Sequence, residues 1–289
     1  MRTTRRKDPR PHPEAGALGR DELLNRSLRA ATVLAGVASL FGCAGGPLSG
    51  ALPGETDSGA VIGEVAGGRE RARIHTELAG SYYQRGNLGV ALSEARIAIA
   101  ADSGYAPAYN VLGLVYGDLR EKDLAEEAFE RSLRFNPNDP DTNHNYAWFL
   151  CENKREEESI RYFLMAVRHP LYATPQKSYA MAAVCAMRKN NERDAYDYLE
   201  RALKLDPNYH PALINLAQLK YRRGELDGAR TLVGRYNKLA EPTAESLWLA
   251  LRIERKVGDS SSVTSYANQL RRRFPGSKEY QELQKGRFE

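Results

Sequence analysis

The chain has 289 residues, 42% of them hydrophobic, with 42 Lys and Arg against 37 Asp and Glu and a formal net charge of +5. This is enough apolar material for a sizeable core and too much for a disordered chain. Residues 1–29 hold eight basic and four acidic residues, leaving 34 against 33 in the rest, so the excess charge belongs to the leader and lends no support to a nucleic-acid partner.

The first element is a processing segment. Ala30 to Gly42 is an uncharged run of 13 residues preceded by Arg26 and Arg29, whereas a bilayer-spanning helix takes about 20. The order of charge, apolar run and small residues predicts a secretory signal over 1–42. Its end, Leu40-Phe41-Gly42-Cys43, resembles a bacterial lipobox, which implies that the Cys43 thiol accepts a diacylglyceryl group and that Cys43 becomes the first residue after cleavage. Phe41 is bulkier than the small residue usual there, and an ordinary signal peptide or a buried cysteine is the competing reading. In an exported protein the other two cysteines, Cys151 and Cys185, are either a pair or reduced core residues.

Residues 43–71 follow as the lipidated cysteine and a glycine-rich tether without apolar periodicity, which would hold the next domain roughly 25–30 Å from its anchor. From there the chain repeats itself. Ala91, Ala125 and Ser159 are 34 residues apart, as are Pro207, Glu241 and Pro275, and the turn positions Gly86 and Gly224 are followed 34 residues later by Arg120 and Gly258. The pattern resembles the tetratricopeptide repeat, carried best by Tyr109, Leu112, Gly113, Tyr116, Ala125, Phe129 and Pro137, and again by Tyr179, Ala182, Ala183, Ala195, Leu199, Ala202 and Pro207.

The expectation is an all-α right-handed superhelix of about six helix-turn-helix repeats over 72–277. Their spans are 72–105, 106–139, 140–175, 176–209, 210–243 and 244–277, followed by a tail at 278–289. The third repeat carries about two extra residues near His169 to Pro175. Small residues Gly113, Ala147, Ala183 and Ala217 let each first helix approach its partner, and stacking buries the apolar face that one pair leaves bare. Prolines in NPNDPD (136–141) and DPNYHP (206–211) stop one helix and start the next.

The chemistry of turnover finds no foothold. The five histidines at 12, 75, 144, 169 and 210 are scattered, and the sequence has no HExxH, Cys-x-x-Cys, phosphate loop, GxGxxG or GxSxG motif. The runs Glu156–Glu158 and Arg271–Arg273 read as solvated faces. The reading is therefore a binding protein and no enzyme, with no metal, cofactor or small-molecule substrate. First-helix positions two, five, nine and twelve usually face the groove of such repeats, which nominates Tyr83, Asn110, Leu114, His144, Trp148, Val184, Met187, Ile214, Gln218 and Tyr221 as a partner-binding wall. The clamp by which chaperone-binding repeats hold a C-terminal carboxylate is missing from the first repeat, where Thr76 and Gly80 take its places.

Three stretches carry a closer resemblance: FNPNDPDTNHNYAWFLC (135–151), HPLYATPQKSYAMAAVCAMRKN (169–190) and HPALINLAQLKYRRGELDGAR (210–230). They are similar to the type IV pilus biogenesis lipoproteins of the PilF/PilW family. The resemblance implies a pilotin, lipid-anchored through Cys43 to the periplasmic face of the outer membrane, that binds the secretin subunit and helps it form a multimer; it also implies that Cys151 and Cys185 can form a disulfide. The alternative is a repeat lipoprotein serving as a scaffold for peptidoglycan hydrolases and proteases or for outer-membrane barrel assembly, disfavoured by NYAWFLC and PLYATP.

Overall fold

A computed structural model describes residues 58–288, and the repeat array lies in the compact unit Gly63–Glu289. Among the described residues it is all-α, with thirteen helices. Six pairs run in order: α1 (Ser58–Gln84) with α2 (Leu88–Ala101), α3 (Ala106–Asp118) with α4 (Lys122–Phe135), α5 (Pro140–Glu152) with α6 (Glu156–Ala166), α7 (Pro175–Arg188) with α8 (Glu192–Leu205), α9 (His210–Arg222) with α10 (Leu226–Leu239), and α11 (Ala244–Val257) with α12 (Ser260–Arg273). A short α13 (Lys278–Gln284) follows.

Helix starts and stops have local causes. Proline stands in the first turn of α3, α5, α7 and α9, where no backbone donor is lost. Asp139 caps α5 by accepting from the Thr142 amide at 2.7 Å, and Thr243 and Ser246 cap α11 reciprocally. The turn inside each pair places one residue in the left-handed region, in the series Gly86, Arg120, Lys154, Asn190, Gly224 and Gly258, with φ from 60° to 93°. Every step in that series is 34 residues except the one from Lys154 to Asn190, so the two-residue insertion falls between those turns and leaves the helix pairs intact.

The core is the small-residue seam between paired helices. Ala91, Ala125, Ser159, Ala195 and Ala229 on the second helices are fully buried, as are Ala147, Ala183 and Ala217 on the first. Larger side chains, among them Phe129, Phe163, Leu199, Leu213 and Leu216, fill what the seam leaves. At the junction of the second and third repeats, the Ser132 hydroxyl donates to the Ala106 carbonyl at 2.8 Å and bonds Thr142 Oγ1 at 3.0 Å, so two buried polar groups satisfy each other.

Two expectations about the flanks need correction. The tether does not extend to residue 71, since α1 begins at Ser58. Gly68 there is buried, and a Cβ on it would lie 2.8 Å from the Ala101 carbonyl oxygen, so this glycine permits a close helix approach that composition alone reads as linker. The segment after Ser277 is not a simple tail. Ser277 caps α13 by accepting from the Tyr280 amide at 3.1 Å, and α13 docks on α11 and α12. Cys43 and the signal lie outside the described residues.

Candidate partner-binding groove

The nominated wall comes from five first helices. Tyr83, Asn110, Leu114, Trp148, Val184, Met187 and Ile214 are half-buried and Gln218 is exposed. Four of them, Leu114, Trp148, Met187 and Ile214, have an inner side that the core supports. Leu114 packs on the cluster around Phe129 and Tyr146, and Met187 and Ile214 pack on the cluster around Leu213 and Leu216. Asn110 Oδ1 accepts from Asn145 Nδ2 at 3.1 Å, linking α3 to α5. Side chains held in this way lose little rotamer freedom when a partner covers them, which favours binding.

Trp148 is the most elaborated position. It packs against the cluster holding Cys151 and Cys185, and the Arg188 guanidinium lies 5.4 Å from its ring. Arg188 Nη1 donates to the Cys151 carbonyl at 3.2 Å, and Nη2 reaches Glu152 at 2.7 Å, fixing the guanidinium over the indole. Cys151 and Cys185 are joined by a disulfide with Cα atoms 5.9 Å apart, tying α5 to α7 beneath this site.

His144 and Tyr221 depart from the expectation. His144 is 6% exposed, its Nδ1 2.7 Å from Ser178 Oγ and its ring edge-on to Phe163. The same Ser178 Oγ is 3.0 Å from the hydroxyl of buried Tyr172, which the insertion supplies. The extra residues thus bring in a side chain that generic repeats lack, and His144 is a core residue with no groove face. Burial, with a small contribution from Lys177, lowers its pKa to about 3, so it is neutral. Tyr221 is 5% exposed because Arg252 and Lys256 of the next repeat lie over its ring at 4.7 and 4.5 Å. Conversely, the same register counted from Ala244 extends the wall into the sixth repeat, where it gives Trp248, Arg252 and Arg255. Among the described residues no group of three or more His, Cys, Asp or Glu is placed to hold a metal ion, and no helix is long and apolar enough to cross a membrane.

Paired helices in series, small-residue seams and a row of supported aromatic and aliphatic side chains define a tetratricopeptide-repeat protein. Family models described as tetratricopeptide repeat match residues 106–139, 128–161 and 186–252. The chain is 31% identical over 218 residues to the type IV pilus assembly protein PilF of Pseudomonas aeruginosa, covering 75% of this chain and 86% of that one. The solved structure of Pseudomonas aeruginosa PilF superposes with a TM-score of 0.71 at 30% identity, covering 76% of this chain and 99% of that one. That of PilW, a type IV pilus biogenesis factor, gives 0.68 at 30% identity over 74% and 98%. The chain belongs to the PilF/PilW family of type IV pilus biogenesis proteins.

Proposed function

We propose that the protein is a pilotin: a non-catalytic lipoprotein, acylated on Cys43 and held on the periplasmic face of the outer membrane, that binds the secretin subunit of the type IV pilus system and promotes its localisation and multimerisation. The observation that carries this reading is the similarity to PilF, which runs through 218 residues and 86% of PilF's own length and so is not confined to one or two generic repeats. The row Asn110, Leu114, Trp148, Val184, Met187 and Ile214 offers the apolar and amide surface that an extended or helical secretin segment would use. Ala44 follows Cys43 where an aspartate would favour retention at the inner membrane. Each buried acyl methylene contributes about 0.8 kcal/mol and one chain holds only marginally, so several chains on one cysteine make the anchoring lasting. A carrier attached in this way delivers its cargo to the membrane where the ring is built.

The test is Cys43→Ala in cells. The expected result is a secretin that stays unassembled and fails to fractionate with the outer membrane; secretin multimers of normal amount in that fraction would overturn the reading. Trp148→Ala with Cys43 intact is expected to reduce co-purification of the secretin with the lipoprotein while leaving the lipoprotein's membrane fractionation unchanged.

A further inference from the structure

The last described residues lie against the sixth repeat. The Phe288 ring stacks on Trp248 with centroids 5.6 Å apart and planes 22° from parallel. The Arg255 guanidinium is 3.6 Å from the centre of the Phe288 ring, and Arg252 Nε donates to the Phe288 carbonyl at 2.8 Å. Trp248, Arg252 and Arg255 are positions five, nine and twelve of their helix, the register that holds Ile214, Gln218 and Tyr221 one repeat earlier. Phe288 therefore meets what a repeat offers to a peptide: an indole to stack on, a cation over the ring, and a donor for a main-chain carbonyl. Arg252 is held ready by its own stacking on Tyr221.

The hold on this segment is light. No residue of α13 is fully buried. The chain returns to α11 through Gly286 in the left-handed region and an Arg287 amide bonded to the Glu282 carbonyl at 3.0 Å. Segments with few buried contacts open at small cost. The site beneath is cationic: Arg252 and Arg255 both contact Phe288, Lys256 shares the Tyr221 ring with Arg252, and Glu254 of the same helix is engaged by Arg230 at 2.8 Å. In the sequence an acidic residue, Glu289, follows Phe288.

We propose that Trp248, Arg252 and Arg255 form a binding site for a partner peptide segment in which a phenylalanine is followed by an acidic residue, and that Phe288 occupies this site in cis until such a segment displaces it. The site is separate from the row centred on Trp148, and the proposal stands whether or not the partner at that row is a secretin. Self-occupancy lowers apparent affinity by the fraction of molecules in which the site is closed, so emptying it raises affinity without adding a contact.

The experiment uses a fluorescently labelled peptide of residues 282–289, blocked at both ends, titrated into the purified chain and its Phe288→Ala and Phe288→Leu variants, with circular dichroism reporting the fold. Both variants are expected to bind the peptide about tenfold more tightly than the unaltered chain. Adding Trp248→Ala or Arg255→Ala to Phe288→Leu is expected to abolish that gain, and a peptide with alanine for its phenylalanine is expected not to bind. Equal binding by the variants and the unaltered chain, binding by neither, or binding indifferent to Trp248 and Arg255 would each overturn the proposal. Loss of fold in Phe288→Leu would overturn it too, because a releasable segment cannot be one the array needs to stay folded.

Discussion

The Phe129 ring lies so close to Gly113 that a Cβ on that glycine would be 2.7 Å from Cδ1 and 2.8 Å from Cε1. Phe129 is fully buried, stacked on Tyr146 at 5.5 Å and tilted on Phe149 at 5.6 Å, so the ring has nowhere to retreat. Gly113→Ala is expected to lower stability by roughly 1–3 kcal/mol despite the higher helix propensity of alanine, because overpacking exceeds the propensity gain. Urea denaturation of the two proteins measures it, and an unchanged midpoint would show that α3 and α4 slide apart freely.

The disulfide between Cys151 and Cys185 spans 34 residues. In the chain-entropy account a loop of that size contributes about 3–4 kcal/mol by restricting the unfolded chain. Cys151→Ser with Cys185→Ser is expected to lose about that much, with helical content at 20 °C retained. A companion measurement is sensitivity to reductant: thermal melting of the unaltered chain should shift downward with dithiothreitol and that of the double variant should not.

Neutral buried His144 makes stability depend on acid. Its folded pKa of about 3 lies below the ordinary value of 6.5, so as pH falls below 6.5 the unfolded chain takes up a proton that the folded one refuses. Stability on this account is fully present above pH 6.5 and declines toward pH 3. Against His144→Gln, which removes the titrating group, the unaltered protein should lose about 2 kcal/mol of relative stability between pH 6.5 and 5. Parallel pH curves for the two proteins would show that His144 is protonated within the fold.

The helix pairs were legible in the sequence because the residues that make them possible recur at a fixed interval. Gly113, Ala147, Ala183 and Ala217 mark the seams, and the left-handed turn recurs even where Arg120, Lys154 and Asn190 stand in place of glycine. What escaped was whatever broke the pattern. The start of α1 was hidden because Gly67 and Gly68 look like linker, although one of them fits under Ala101. α13 has seven residues, too few to show a helical period. The environment of His144 depended on Tyr172, a residue of the insertion that the repeat register does not position. The wall at Trp248 obeyed the register and could have been read by counting one repeat further.

The two extra residues and the disulfide fall at the same joint, between the third and fourth helix pairs. A stack of paired helices behaves under load as a spring whose joints open one after another. Here the joint with the longest connection is also the one that is covalently bolted. If a pilus system pulls on such a stack from its two ends, the 33 residues between Cys151 and Cys185 cannot pay out as slack, which withholds about 110 Å of contour. Under such a load the middle of the array stays short, and any lengthening falls to the helix pairs outside the disulfide.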